Sequence, residues 1–169
     1  QGIGWSPDGK YLAAGAASRG IHVWEVATGD RVWVSPTQFL SLRVVWSRDG
    51  SRLASCGDED NVFLWDSANG TMLAKLQGHR SMVKDIAWSP DGRWLASCGG
   101  AGGGELLIWD ANSGACLSDW SEPGAAINAV AWNPSGTVLV CGSSDGKLRW
   151  RSAESGEAIR VQEGYPGPV

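Results

Sequence analysis

The chain has 169 residues, of which 43% are hydrophobic, and its formal net charge is −4. This hydrophobic content is sufficient for a packed core, whereas the negative charge offers no basic surface for nucleic acid or an anionic membrane. No apolar run approaches the roughly 18 residues of a membrane-spanning helix. The composition therefore indicates a folded protein that binds neither nucleic acid nor membrane.

One sequence pattern recurs four times along the chain. A tryptophan followed by a turn sequence occurs at intervals of 41, 42 and 44 residues, at Trp5, Trp46, Trp88 and Trp132. A second tryptophan closes each copy, at Trp24, Trp65, Trp109 and Trp150. Periods of about 20 to 50 residues are typical of repeat architectures. The sequence therefore predicts four copies of one unit, over approximately residues 1–40, 41–82, 83–126 and 127–169.

Each copy is predicted to form an antiparallel meander of four strands, without helices. Residues 82–88 alternate roughly between apolar and polar, which is typical of a strand. The turn after them, Ser89-Pro90-Asp91-Gly92, has the proline and glycine of a type I turn. In chain order the predicted strands are residues 11–14, 21–26 and 31–34; 41–46, 52–56, 62–65 and 72–77; 82–88, 94–98, 106–109 and 115–120; and 127–132, 138–142, 147–150 and 157–161.

The two ends of the sequence complement each other. The string formed by Pro168, Val169 and residues 1–5 aligns with residues 82–88, with Val, Ile and Trp in phase. The opening strand of the first copy is therefore predicted to be divided between the two ends. Because Gln1 is not a natural start, we expect a chain cut from a longer protein in the middle of a strand.

The four cysteines show no metal-binding or disulfide pattern. Cys56, Cys98, Cys116 and Cys141 include no Cys-x-x-Cys pair, and only His22 and His79 could assist a metal. We therefore expect four unpaired thiols, no metal site and no cofactor. Unpaired thiols favour a reducing compartment, which makes a cytoplasmic location the expectation.

The repeat resembles the WD-repeat β-propellers over the whole chain. The resemblance rests on Ser-Pro-Asp-Gly after the first strand, Leu-Ala-Ser in the second and Trp-Asp at the end of the third, as in Trp65-Asp66 and Trp109-Asp110. It implies an all-β fold of four-stranded blades arranged around a channel. The eight periodic tryptophans are then expected between blades. Three further tryptophans are expected to be partly exposed: Trp33, Trp94 and Trp120.

The resemblance also implies a buried network of His, Ser or Thr, Trp and Asp in each blade. The third copy offers His79, Ser97 and Trp109 but a glycine-rich run, residues 99–104, where the Asp is usual. The second offers Ser55, Asp60 and Trp65, with Thr37 at the His position. The fourth offers Asp145 and Trp150, with Pro123 and Cys141 at the His and Ser positions. We expect the network to be incomplete in every copy.

For each candidate catalytic group, a structural role explains the sequence better than a catalytic role. The acidic residues 58–60 have no partner at ligand spacing, the glycine-rich run lacks the lysine of a phosphate loop, and His79 fits a structural hydrogen bond. We therefore expect a protein without enzymatic activity that serves as an interaction scaffold. The alternative is a regulatory or sensor module of a larger enzyme, such as an NTPase, a kinase or a protease.

In the family, partners often dock on the face formed by the loops from fourth to first strand and from second to third strand. On this basis a protein or peptide is expected to contact Phe39, Asp58, Arg80 and Met82. The alternative is that Phe39 and Met82 only cover blade edges. Family propellers commonly have seven blades, so the ends of four blades would be bare. We expect either a head-to-tail second copy, giving eight blades, or further blades from a parent chain.

Overall fold

The computed structural model describes residues 2–16, 20–35, 41–100 and 103–164. They form four antiparallel sheets, here called blades 1 to 4, in each of which consecutive strands pair. Blade 1 contains β1 (Ile3–Trp5), β2 (Tyr11–Ala16), β3 (Gly20–Glu25) and β4 (Arg31–Val34). Blade 2 contains β5 (Ser41–Trp46), β6 (Arg52–Gly57), β7 (Asn61–Asp66) and β8 (Met72–Gln77).

Blade 3 contains β9 (Val83–Trp88), β10 (Trp94–Gly99), β11 (Gly103–Asp110) and β12 (Cys116–Asp119), and the short β13 (Glu122–Pro123) pairs with the start of β11. Blade 4 contains β14 (Ile127–Trp132), β15 (Val138–Ser143), β16 (Lys147–Ser152) and β17 (Ala158–Glu163). The prediction of four four-stranded antiparallel blades is confirmed. The described ranges contain no helix, and hence none that could cross a membrane.

The turn after the first strand is closed in the same way in three blades. A serine hydroxyl donates to the aspartate two residues later, at 2.6–2.7 Å, in Ser6–Asp8, Ser47–Asp49 and Ser89–Asp91. The glycine that follows has a φ of 72° in each of these turns, a conformation that a Cβ atom disfavours. These local interactions explain why the four-residue motif produces the same hairpin in these three blades.

The hydrophobic core is divided among the joints between consecutive blades. Trp65, 0% exposed, packs in the joint between blades 1 and 2, and Trp109, 1% exposed, packs between blades 2 and 3. Ile108 and Leu139 belong to the joint between blades 3 and 4. A buried tryptophan covers about 150–250 Å², which at about 25 cal/mol per Å² corresponds to an upper limit of about 4–6 kcal/mol. We call the face of a blade toward the preceding blade its leading face, and the other its trailing face.

The tryptophans differ in burial from what the repeat predicts. Of the eight periodic ones, only Trp65 and Trp109 are fully buried, and Trp5 is 60% exposed because no described blade covers it. Trp33, expected to be partly exposed, is buried instead: its ring lies over Gly70 of blade 2, and its indole donates to the carbonyl of Ser67 at 2.8 Å. The missing side chain of Gly70 makes room for this ring.

The third strand of blade 4 is shifted by one residue relative to the other blades. Trp24, Trp65 and Trp109 each pair with a leucine of the second strand, whereas the equivalent Leu139 pairs with Arg151. Because neighbouring strand residues point to opposite faces, this shift moves Trp150 to the trailing face. The expectation that Trp150 corresponds to Trp109 is therefore wrong. Arg151 holds that position, nearly buried, and donates to the carbonyl of Gly156 at 2.8 Å.

A buried carboxylate connects three blades near their first strands. Asp85 of blade 3 forms an ion pair with Arg43 of blade 2, with Nε and Oδ1 2.8 Å apart. Its other oxygen accepts the backbone N–H of Val130 of blade 4 at 3.0 Å. Asp85 therefore adds a polar tie to joints that are otherwise apolar.

Candidate functional site: the loop face

Three of the predicted partner-binding residues lie at the same end of the blades. Asp58 is exposed in the turn between β6 and β7, and Arg80 and Met82 are exposed in the segment between β8 and β9. The two segments are joined, because the backbone N–H of Val83 donates to the carbonyl of Glu59 at 3.3 Å. Phe39 lies outside the described residues. We call the surface that carries Asp58, Arg80 and Met82 the loop face.

A continuous chain of buried hydrogen bonds lies beneath the loop face in blade 3. The indole of Trp109 donates to the hydroxyl of Ser97 at 2.7 Å, and this hydroxyl lies 2.6 Å from Nε2 of His79. Nδ1 of His79 lies 3.1 Å from Oε2 of Glu105. Because a carboxylate only accepts, Nδ1–H donates to Glu105 and the Ser97 hydroxyl donates to Nε2. The chain links a core tryptophan to the loop that carries Arg80.

Glu105 supplies the carboxylate that the sequence analysis found missing. Besides His79, it accepts the backbone N–H of Arg80 at 3.0 Å and the hydroxyl of Ser81 at 3.3 Å. The expectation that every copy has an incomplete network is therefore wrong for blade 3. A signal was present in the sequence, because Glu105 stands four residues before Trp109, and strand residues four apart share a face.

Burial controls the protonation of His79. Its removal from water lowers the pKa of the imidazole below the ordinary value, although the hydrogen bond and charge of Glu105 act in the opposite direction. The side chain is 0% exposed, and both ring nitrogens have partners. His79 is therefore a neutral structural bridge near pH 7 and is not accessible as a general base.

Arg80 extends from this anchored backbone onto the loop face. Its Nη2 lies 3.3 Å from Oδ2 of Asp119, and its Nη1 lies 3.9 Å from Oε1 of Glu105, yet the side chain is 70% exposed. Exposed ion pairs contribute only about 0–1 kcal/mol, so these contacts orient Arg80 more than they stabilise the fold. A shallow groove beside it is lined by Arg80, Ser81, Gly100, Gly103, Glu105 and Ser121.

The corresponding residues of blades 2 and 4 are arranged differently. In blade 2 the indole of Trp65 donates to Ser55 at 2.9 Å, but Asn61 stands where blade 3 has Glu105, and the predicted network residue Asp60 is exposed. Thr37 lies outside the described residues. In blade 4 a hydrogen-bonded ion pair with Arg149, 2.6 Å long, lowers the pKa of Asp145 to about 2. Asp60 and Asp145 therefore lie at the surface, whereas His79, Ser97 and Trp109 come together.

The three buried cysteines are not poised for chemistry. All four are free thiols, as predicted, and Cys56, Cys98 and Cys141 are buried. Burial raises the pKa of Cys141 to about 12, and it raises those of Cys56 and Cys98, to which the nearby carboxylate of Asp85 adds. These thiols stay protonated and are weak nucleophiles. Among the described residues, no group of three or more His, Cys, Asp or Glu side chains could hold a metal ion.

Comparison with protein families gives two matches that together run through most of the chain. The family model "WD domain, G-beta repeat" matches residues 1–25, 36–66 and 70–110, which is more than half of the chain. The family model "Anaphase-promoting complex subunit 4 WD40 domain" matches residues 119–165. A search of curated proteins gives no match. The first model matches the first three strands of blades 1, 2 and 3, and the second model matches the shifted blade 4.

Proposed function

The chain belongs to the WD-repeat family, and on this premise we propose that it is a non-catalytic scaffold that binds a protein or peptide on its loop face. Domains of this family mediate protein–protein interactions. The net charge of −4 favours neither nucleic acid nor a membrane as the partner. The proposed location is the cytoplasm, which is supported by the free thiols.

The observation that carries this proposal is that the exposed Arg80 has a backbone fixed by hydrogen bonds to the buried part of blade 3. Glu105 accepts the backbone N–H of Arg80, and through His79 and Ser97 it is tied to the buried Trp109. Arg80 itself remains 70% exposed, with Met82 next to it at 40%. Arginine and methionine are enriched at interfaces, and a preordered backbone lowers the entropy lost on binding.

The absence of catalysis is proposed from the chemistry of the groups that could act. His79 is buried and hydrogen-bonded at both ring nitrogens, and the buried thiols have raised pKa values. The carboxylate of Glu105 is occupied by the N–H of Arg80 and by His79. The loop face is therefore better suited to recognition than to proton transfer or nucleophilic attack.

We further propose that the chain associates with a second copy of itself, or with further blades of a parent chain, to complete the ring. The support is the exposure of large apolar side chains at the leading face of blade 1, where Ile3 is 65% and Trp5 is 60% exposed. Apolar surface of this kind favours association.

Partner binding can be tested with a random peptide library displayed on phage. The library is selected on the immobilised chain, and the affinity of the enriched peptides is measured for the wild type and for Asp58→Ala, Arg80→Ala and Met82→Ala. We expect Arg80→Ala to weaken binding by tenfold or more, about 1.4 kcal/mol, with an unchanged melting temperature. Leu117→Ala, an exposed position on β12, is the control and is expected to bind normally.

The proposal is wrong if no peptide is enriched above background. It is also wrong if enriched peptides bind all three loop-face variants as tightly as the wild type, or if each loss of affinity follows a loss of folded protein. Phe39→Ala extends the same experiment to the predicted contact that lies outside the described residues.

A further inference from the structure

The three joints inside the chain repeat one hydrogen bond. At the end of each first strand, a tryptophan indole donates to a backbone carbonyl of the preceding blade. The bonds are Trp46 to Gly4 at 3.0 Å, Trp88 to Val45 at 3.3 Å and Trp132 to Ala87 at 3.0 Å. In every case the accepting residue stands directly before the tryptophan of its own blade. The joint therefore has a fixed donor and a fixed acceptor.

The tryptophan donor of blade 1 and the carbonyl acceptor of blade 4 face no other blade among the described residues. Trp5 is the donor of blade 1 and is 60% exposed. Ala131 is the acceptor position of blade 4 and is exposed. It has the same strand register as the other acceptors, because the pairs are Gly4–Ala13, Val45–Ala54, Ala87–Ala96 and Ala131–Val140. Its carbonyl therefore has the orientation that accepts an indole in the three internal joints.

The shifted third strand of blade 4 places an apolar side chain on the trailing face of that blade. Val23, Leu64 and Ile108 occupy the third-strand position of the trailing face in blades 1 to 3, where the next blade buries them. The register of blade 4 puts Trp150 at that position, and it is only half-buried. On the leading face of blade 1, Trp24 is likewise only half-buried. Both faces thus carry a large aromatic residue that a joint would bury.

The trailing face of blade 4 and the leading face of blade 1 carry opposite charges near their fourth strands. In the internal joints the ring of Trp33 lies over Gly70, and that of Trp120 lies over Gly156. In blade 4 the residue equivalent to Trp33 is Arg160, four residues after the turn glycine, with its guanidinium 5.2 Å from the ring centre of Trp150. The matching glycine of blade 1, Gly29, has open space around it and is flanked in the same turn by two acidic residues, Glu25 and Asp30.

We propose that the trailing face of blade 4 docks on the leading face of blade 1 of a second copy, so that two copies close an eight-bladed ring. The inference rests on the self-association proposed above and assigns its contacts. Trp5 of one copy donates to the carbonyl of Ala131 of the other, Trp150 packs against Trp24, and Arg160 meets Glu25 and Asp30. The partner is a second copy because both halves of the joint are present on one chain with complementary charge. A head-to-tail joint closes a ring only if its rotation fits, and otherwise gives open chains.

Sedimentation equilibrium over a range of protein concentrations tests the joint. We expect the wild type to sediment as two chains at high concentration. Trp5→Ala and Arg160→Asp are each expected to raise the dimer dissociation constant tenfold or more. Ile159→Ala is the matched control: it removes a side chain that is 59% exposed on the opposite face of the same strand, and it is expected to leave the dissociation constant unchanged.

A charge-swap variant and an ionic-strength series distinguish this specific joint from non-specific association. Combining Arg160→Asp with Asp30→Arg restores opposite charges and is expected to recover at least part of the affinity that Arg160→Asp loses. Raising the ionic strength is expected to weaken the wild-type dimer, because exposed charges are screened. Far-UV circular dichroism of each variant shows whether it is folded, so that unfolding is not mistaken for dissociation.

The outcomes distinguish this inference from the broader proposals. A wild type that remains monomeric at every concentration overturns both the joint and self-association, and leaves peptide binding on the loop face standing. A dimer that persists unchanged in Trp5→Ala and Arg160→Asp overturns only the assigned joint. Assemblies larger than two chains overturn the closed eight-bladed ring.

Discussion

Blades 3 and 4 are built from the same repeat, yet they are stabilised in different ways. Blade 3 has Trp109 on its leading face and a chain of hydrogen bonds that runs through Ser97 and His79 to Glu105. Blade 4 has Arg151 at the tryptophan position, and its acidic loop residue Asp145 pairs at the surface with Arg149. A shift of one residue in the third strand separates the two arrangements. The comparison shows that a third strand can keep its tryptophan and still lose the buried network.

The largest expected difference between the two blades concerns their tryptophans. Trp109→Ala removes a fully buried ring and should lower the free energy of unfolding by about 3–5 kcal/mol. Trp150→Ala removes a ring that is only half-buried, so a smaller loss is expected. Urea denaturation at a protein concentration at which the chain is monomeric measures both. Equal losses for the two variants would contradict the register shift.

The joint between blades 3 and 4 can be tested at the glycine that receives Trp120. A Cβ at residue 156 would clash with the indole of Trp120, so Gly156→Ala must displace the ring as well as strain a positive φ. We expect a loss of about 2–4 kcal/mol, which combines about 1–2 for φ with about 1–3 for overpacking.

Gly29→Ala is the matched control for this prediction, since its φ is +77° but nothing lies within 4 Å of the added atom. It should lose only the backbone contribution of about 1–2 kcal/mol. Thermal melts of the two variants, at a protein concentration at which the chain is monomeric, give the comparison. If Gly29→Ala proves as destabilising as Gly156→Ala, Trp120 does not pack against the turn.

The acidic residues should differ less, but in the same order. Glu105→Ala leaves the N–H groups of His79 and Arg80 without their acceptor, and we expect a loss of about 1–3 kcal/mol. Asp145→Ala breaks a pair at the surface and should lose about 0–1 kcal/mol. Chemical denaturation of both variants measures the difference. A loss for Asp145→Ala that equals or exceeds that for Glu105→Ala would mean that the two carboxylates are equally structural.

The smallest expected effect is a pH dependence that belongs to blade 3. The pKa of His79 is lowered in the folded state, so the unfolded chain binds a proton more readily. Stability from this group is therefore fully present above about pH 6.5 and is lost as the pH falls from there through the lower folded pKa. The slope of stability against pH between about 5 and 6.5 should be smaller in His79→Gln than in the wild type. An identical slope would show that His79 is not buried as a neutral ring.

The positions of three loop-face residues could be predicted from the sequence, whereas the role of Glu105 was missed. Arg80, Met82 and Asp58 were expected on one face because the resemblance to WD-repeat propellers implies that their loops form it, and the three residues lie at the same end of the blades. Glu105 was missed because the glycine-rich sequence before it has no apolar–polar alternation from which the start of β11 could be predicted. Only the pairing of β11 with β10 decides that Glu105 points toward His79.

The sequence by itself determined the number of blades, the order of strands and the turns after the first strands. These features depend on contacts between residues close together, such as Ser89 with Asp91, and on a strand pattern that recurs four times. The tertiary structure alone decided that Trp150 lies on the trailing face, that Trp33 is buried and that Trp5 is exposed. Each of these features depends on strand register or on a neighbouring blade. The burial of a side chain is determined by contacts with residues that are distant in the sequence.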